Sequence, residues 1–212
     1  GAIRTALYWA WNKGKTLNPK NNDLGQSLFG AFGDDQMKYL LVSDTDLIQE
    51  PTRIELIKMK NLKKEAGQQQ QQLPMNFEMI PSKAKTSFKL VCKGGNDLKF
   101  DLAFLKKGQE KTILQKVNDF YTHRAKREIQ FLKHYPQYAP TLKFYNKILD
   151  TALNYTQSGK GAIVRLGAGK TFWENTVADL LSDQDFSKLK IIKNKIGAQK
   201  STFPATRKWI ES

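Results

Sequence analysis

The chain has one cysteine, two histidines and no long apolar run, and each shortage removes a class of function. With Cys92 alone, no internal disulfide can form, which fits a reducing, cytoplasmic setting. A lone thiol and two histidines also leave no ligand set for a structural zinc ion. His123 and His134 fall eleven residues apart on one expected helix. That is about three turns, so they cannot meet on one metal there. Nothing in the sequence supports a Cys–His nucleophile pair. No stretch is apolar for long enough to span a bilayer, and none reads as a signal peptide, so no membrane partner is expected. The chain opens on Gly1 rather than Met, so a piece of a longer protein is one expectation.

Acidic residues are outnumbered too. Asp plus Glu is 20 against 35 Lys plus Arg, a formal net charge of +15 over 212 residues. Such an excess points to a polyanionic partner, nucleic acid foremost, over a surface that is merely basic and solvated. The length allows one large domain or two small ones with a real core.

What is present is a mixture of helix and strand signals. Residues 2–11 read as a helix with Ile3, Leu7 and Ala10 or Trp11 on one face and Arg4 at its edge. Residues 37–42 read as a buried strand ending at Ser43-Asp44, and 53–59 alternate like a half-exposed strand. Residues 60–73 carry the run Gln68 to Gln72 and read as a loop or linker. Segments 77–80 and 88–92 suggest a hairpin, and 98–105 a further strand. Residues 109–134 give the clearest helix, with Leu114, Val117, Tyr121, Ala125, Glu128 and Leu132 along one side. Arg124, Lys126 and Arg127 are expected to form a solvated face of it. Residues 161–166 read as a strand, followed by a glycine loop, a short helix through Leu181 and a basic helix over 186–196. The mixture favours an α+β fold over a doubly wound sheet.

The stretch from Val164 to Trp173 carries the most chemistry. An apolar run leads into Gly167-Ala168-Gly169-Lys170-Thr171, then into a helix signal. Strand, glycine turn and helix together aim backbone N–H groups at a phosphate. The end resembles a nucleotide-binding P-loop, but that motif needs a glycine where Val164 stands. A β-branched side chain resists the positive φ required there. No later apolar strand ends in a magnesium-binding Asp. The phosphates of a nucleic-acid backbone fit better, beside the alternative of a purely structural turn.

Two acidic clusters, Asp34-Asp35 and Asp44-Thr45-Asp46, are the only candidates for a two-metal nuclease. Asp after a strand more often closes a turn through its own backbone. Aromatics alternate with cations at Tyr8-Trp9-Trp11-Lys13 and Lys170-Phe172-Trp173, a mixture that suits stacking of single-stranded bases. Core or subunit interface is the competing role for Trp9, Trp11 and Trp173.

Several segments, in order, resemble one family. Gly1-Ala2-Ile3-Arg4-Thr5-Ala6-Leu7 resembles the second half of a Gly-Ser-Ser-Leu-Lys-Gly-Ala-Ile-Arg-Thr-Ala motif of RAMP proteins, the RNA-binding subunits of CRISPR effector complexes. Residues Tyr39 to Asp44 are similar to the strand and Ser-Asp that follow it. Gly167-Ala168-Gly169 resembles the glycine-rich loop, although shorter. Phe203-Pro204-Ala205-Thr206-Arg207 resembles the closing Phe-Pro-x-Thr-Arg signature of the fifth Csm subunit of type III-A complexes.

The resemblance implies a ferredoxin-like (RRM-like) fold, an antiparallel sheet with helices on one face. It implies residues 1–60 as the remainder of an N-terminal unit, 61–73 as linker and 74–212 as a C-terminal unit with the glycine loop. It implies a cytoplasmic, non-catalytic subunit for antiviral defence, binding CRISPR RNA (crRNA) and other Csm subunits, with no cofactor. Arg4, Arg165, Lys170 and Arg207 are the candidate phosphate contacts or loop anchors, and Gly167 and Gly169 the points of close backbone approach. The alternatives are another RAMP subunit, from a Cmr complex or another Csm position, or a metal-dependent nuclease using Asp34, Asp35, Asp44 or Asp46.

Overall fold

The apolar stripe of residues 109–134 does form the central helix. In the computed structural model, which describes residues 1–17, 25–60, 74–167, 172–189, 200 and 207–210, it runs as α3 (Glu110–Leu132). Ile113, Val117, Phe120, Ala125 and Leu132 are buried along it. Each large apolar side chain among them contributes about 1.5–3 kcal/mol when removed from water. α1 (Ala2–Asn12) packs on it, and α2 (Gln26–Phe29) follows as a single turn. Leu7 of α1 is buried as expected, but with Ala6, Trp9 and Asn12 in place of Ile3 and Ala10 or Trp11. The Trp9 indole sets that rotation. It lies edge-on to Phe120 at 5.7 Å and against His123 at 5.1 Å.

α4 (Ala139–Ser158) also packs on α3, where no helix was expected from the sequence. Pro140 sits in its first turn, where a missing N–H costs nothing. Gly159 closes it with φ +64, a left-handed C-terminal residue that Gly adopts without strain. α5 (Phe172–Asn175), a 3-10 turn at Ala178–Leu180 and α6 (Asp183–Ser187) complete the described helices. Residues 190–196 of the expected basic helix and the glutamine run lie outside the described residues.

The strands depart furthest from expectation. β1 (Leu40–Val42) is three residues long, because Gln36–Tyr39 forms a 3-10 turn that Asp35 caps through the Met37 N–H at 2.9 Å. Leu41 and Val42 are 40% and 51% exposed, so this is not a buried strand. β2 (Arg53–Lys60) forms as expected. β3 (Pro74–Met79) pairs antiparallel with β2, bringing Ile54 opposite Glu78 and Ile57 opposite Met75. β4 (Leu90–Cys92) pairs with β1, so the hairpin of 77–80 with 88–92 does not form. Alternation marks a strand but not its partner, and both partners here are distant in sequence. β5 (Arg207–Ile210) joins the other edge of β2, also antiparallel, in the order β3-β2-β5. The strand expected over 98–105 is a 3-10 segment, Phe100–Leu105, that buries Leu102 and Leu105 three residues apart. The strand expected over 161–166 runs without ladder partners.

The fold is therefore α+β, with small antiparallel sheets. The chain divides into two compact units: Gly1–Leu40 with Val91–Phe203, and Leu41–Leu90 with Pro204–Ser212. This division differs from a cut at the glutamine run, since Leu41–Leu90 lies in one unit on both sides of that run. Cys92 is buried in the first unit, and burial, with Glu110 nearby, pushes its thiol up to about 11. It is therefore a thiol at neutral pH, not a nucleophilic thiolate.

Candidate nucleic-acid interface

Asn118 of α3 is the residue on which the glycine stretch is hung. It is 1% exposed in an otherwise apolar stripe. Its Nδ2 donates to the Ala152 carbonyl at 2.8 Å and to Thr156 Oγ1 at 2.9 Å, tying α3 to α4. Its Oδ1 accepts the Ile163 N–H at 3.0 Å, so the same side chain holds residues 161–166. Every polar atom of the amide is used, as a buried amide requires.

Two tyrosines hold the next residue. Tyr121 Oη donates to the Arg165 carbonyl at 3.4 Å, and Arg165 Nη1 donates to Tyr145 Oη at 3.3 Å. Gly161 lies on the Tyr155 ring, where a Cβ would come within 2.8 Å of a ring carbon. Gly167 follows, with a φ of +90 that calls for glycine although its surroundings are open. Val164 and Leu166 point outward, 37% and 72% exposed.

Residues 172–189 are anchored in the core. Trp173 is 2% exposed, stacked on Phe186 at 5.5 Å, with the Arg127 guanidinium 3.5 Å from its ring centre. Gly169 and Lys170 themselves lie outside the described residues. Arg207 starts β5 opposite Lys60, and its side chain is likewise outside them. Arg4 lies elsewhere in the first unit. Its guanidinium meets Asp35 at 2.5 Å and covers the Phe29 ring at 4.5 Å. Arg4 thus anchors the turn after α2, and of the six candidates only Arg165 and Gly167 are seen on one segment.

For the aromatic candidates the core role holds over stacking at Trp9 and Trp173. Trp9 and Trp173 are each 2% exposed and belong to the core, out of reach of a base. Trp11 is half-buried, with Lys15 Nζ over its ring at 3.4 Å. Among the described residues the phenylalanine rings that do stand in solvent are Phe32, Phe88, Phe100 and Phe144, none of them singled out from the sequence for stacking. Nothing in local spacing distinguishes them from core phenylalanines.

Of the helix cations Lys126 is exposed as expected, but the two arginines are engaged by the protein. Arg124 is buried, not solvated, and it donates to Asp179 Oδ1 at 2.9 Å and to the Thr176 carbonyl at 2.7 Å. Arg127 donates to the Lys200 carbonyl at 2.8 Å. Asp179 collects Trp9 Nε1 at 3.0 Å and His123 Nε2 at 2.8 Å on its other oxygen. Burial opposes ionisation of that carboxyl. The His123 hydrogen bond, the Arg124 charge and the Trp9 N–H outweigh it, holding the pKa at about 2.

One carboxylate of each acidic cluster, Asp35 and Asp46, is engaged in local bonds. Asp35 serves Arg4 and the Met37 N–H. In the second unit Asp46 accepts from Ser87 Oγ, its carbonyl accepts from Thr86, and its N–H donates to the Ser87 carbonyl. Among the described residues no three acidic, His or Cys side chains are grouped as a metal would need, and no helix is long and apolar enough to cross a membrane.

No family model matches the chain, and neither a curated protein nor a solved structure matches it.

Proposed function

We propose that the chain is a non-catalytic subunit of a type III-A CRISPR effector complex that binds the guide RNA and neighbouring subunits at one end of the assembly. The observation that carries this reading is the segment 161–167. Asn118, Tyr121 and Tyr145 hold it, and it delivers Gly167 in a left-handed conformation to the Gly169-Lys170 stretch of a chain with net charge +15. A backbone held up to Gly167 and followed in sequence by glycine and lysine suits phosphate. The many exposed apolar side chains, Phe32, Leu47 and Ile54 among them, suit a subunit with protein neighbours. The ordered RAMP-like motifs supply the choice of complex, and the ferredoxin-like arrangement is part of the same proposal.

The test is reconstitution. A type III-A complex assembled without its fifth subunit should take up the purified chain in the presence of guide RNA, and less so when Arg165 and Lys170 are both Ala. RNA should stay intact with the chain alone, with or without magnesium or manganese. RNA cleavage that needs metal and disappears in Asp34→Ala or Asp44→Ala would instead establish the nuclease. ATP turnover that disappears in Lys170→Ala would restore the P-loop.

A further inference from the structure

We propose that the segment 93–107 forms a second contact for single-stranded RNA, Phe100 stacking on a base while Lys93, Lys99, Lys106 and Lys107 of the same segment meet phosphates of the strand. This rests on the RNA-binding reading above and adds a site on a different segment of the first unit.

The 3-10 segment Phe100–Leu105 sorts its side chains sharply. Leu102 and Leu105 are fully buried and Phe104 is 8% exposed, while Phe100 is 94% exposed. The exposed ring is not on a loose tip. The Lys99 N–H donates to Gln36 Oε1 at 3.3 Å, and the Lys99 carbonyl accepts the Leu102 N–H at 2.9 Å. The backbone before the ring is therefore set before any ligand arrives, which reduces the ordering cost of stacking.

The cations are brought together by a glycine. A Cβ on Gly94 would lie 3.2 Å from the Lys107 amide nitrogen and 3.4 Å from Lys106 Cα. The backbone at 93–95 thus rests on that at 106–107, and Lys93, Lys106 and Lys107 are exposed there. Among the described residues no ion pair engages these three or Lys99. The nearby carboxylates are largely committed. Asp97 accepts from Tyr39 Oη and Gln36 and pairs with Lys38, and Glu110 accepts the Cys92 N–H. Asp101 is the exposed exception. An exposed ring on a segment that also carries four exposed lysines fits a polyanion with flat bases better than an apolar protein pocket, which has no use for the charge.

The test measures anisotropy of a fluorescein-labelled oligouridine with the full chain, with circular dichroism as the folding control. Phe100→Ala should weaken binding about five- to a hundredfold without changing the salt slope, and Phe100→Trp should restore it. On an oligomer of abasic sites, Phe100→Ala and the unaltered chain should bind alike. Lys106→Gln with Lys107→Gln should reduce the salt slope by about 0.7 for each phosphate that is no longer neutralised. Equal affinity of Phe100→Ala and the unaltered chain for oligouridine overturns this site alone. Failure of the unaltered chain to bind any RNA overturns the RNA-binding reading and this site with it.

Discussion

Asp179 couples the fold to pH. Its folded pKa of about 2 lies below the ordinary carboxyl value of 3.8. A depressed carboxyl stabilises the fold above its unfolded pKa and loses that contribution as pH falls through the folded one. The loss should therefore run from about pH 4 down to about pH 2 and amount to roughly 2.5 kcal/mol. Urea unfolding at a series of pH values measures it. Asp179→Ala should destabilise the chain by about 3–5 kcal/mol at neutral pH, because Arg124 is left buried without its carboxylate, and should remove most of this acid sensitivity. A variant as stable as the parent would show that the Arg124 charge reaches water. The same burial means that Arg124→Ala reports on folding rather than on RNA binding. The sequence suggested the opposite, since a charge run on a helix is usually solvated. The missing information was Asp179, fifty-five positions away, which no local pattern ties to Arg124.

At the scale of elements, α1, α3 and β2 were legible because their apolar periods, 3.6 and 2, are written over enough residues to stand out. α4 was not. Ala152 is its only fully buried residue, so little of its sequence is constrained to be apolar, and Pro136 and Pro140 mimic a loop. Strand partners were not legible either, because β2 and β3 pair across the glutamine run and β1 and β4 across about fifty residues. Arg165 and Gly167 could be read from the sequence, but Asn118 could not. A single polar residue in an apolar stripe does not say which backbone it holds. Asn118→Ala leaves the Ile163 N–H without its partner and unties α3 from the Ala152 carbonyl, which still accepts from Thr156 Oγ1. It should cost about 1–3 kcal/mol and speed proteolysis within 161–167. Unchanged melting and unchanged cleavage would remove Asn118 as the clamp. Gly30 supports the turn after α2. Its φ is +95, and a Cβ there would sit 2.7 Å from the Asp34 carbonyl oxygen. Gly30→Ala should cost at least about 1 kcal/mol in the same urea assay and loosen the Arg4–Asp35 pair, whereas Gly108→Ala, at φ +81 in open space, should show the conformational cost alone.

For the whole molecule, charge and exposed apolar surface belong to one account. A chain with +15 net charge repels itself, and side chains such as Phe32, at 101% exposure, remain in water. On the proposed reading a polyanion relieves the first and protein neighbours the second. The charge was plain from composition, while the exposed rings needed the fold, because Phe100 and Phe104 are four residues apart and only one is buried. The direct test of the central claim is the affinity of the unaltered chain for single-stranded RNA across a salt series. Binding should be strong near 50 mM salt, with little dependence on base sequence. It should weaken linearly on logarithmic axes, with a slope of about −0.7 for each phosphate neutralised. A flat salt dependence, or no binding near 50 mM, would contradict the account.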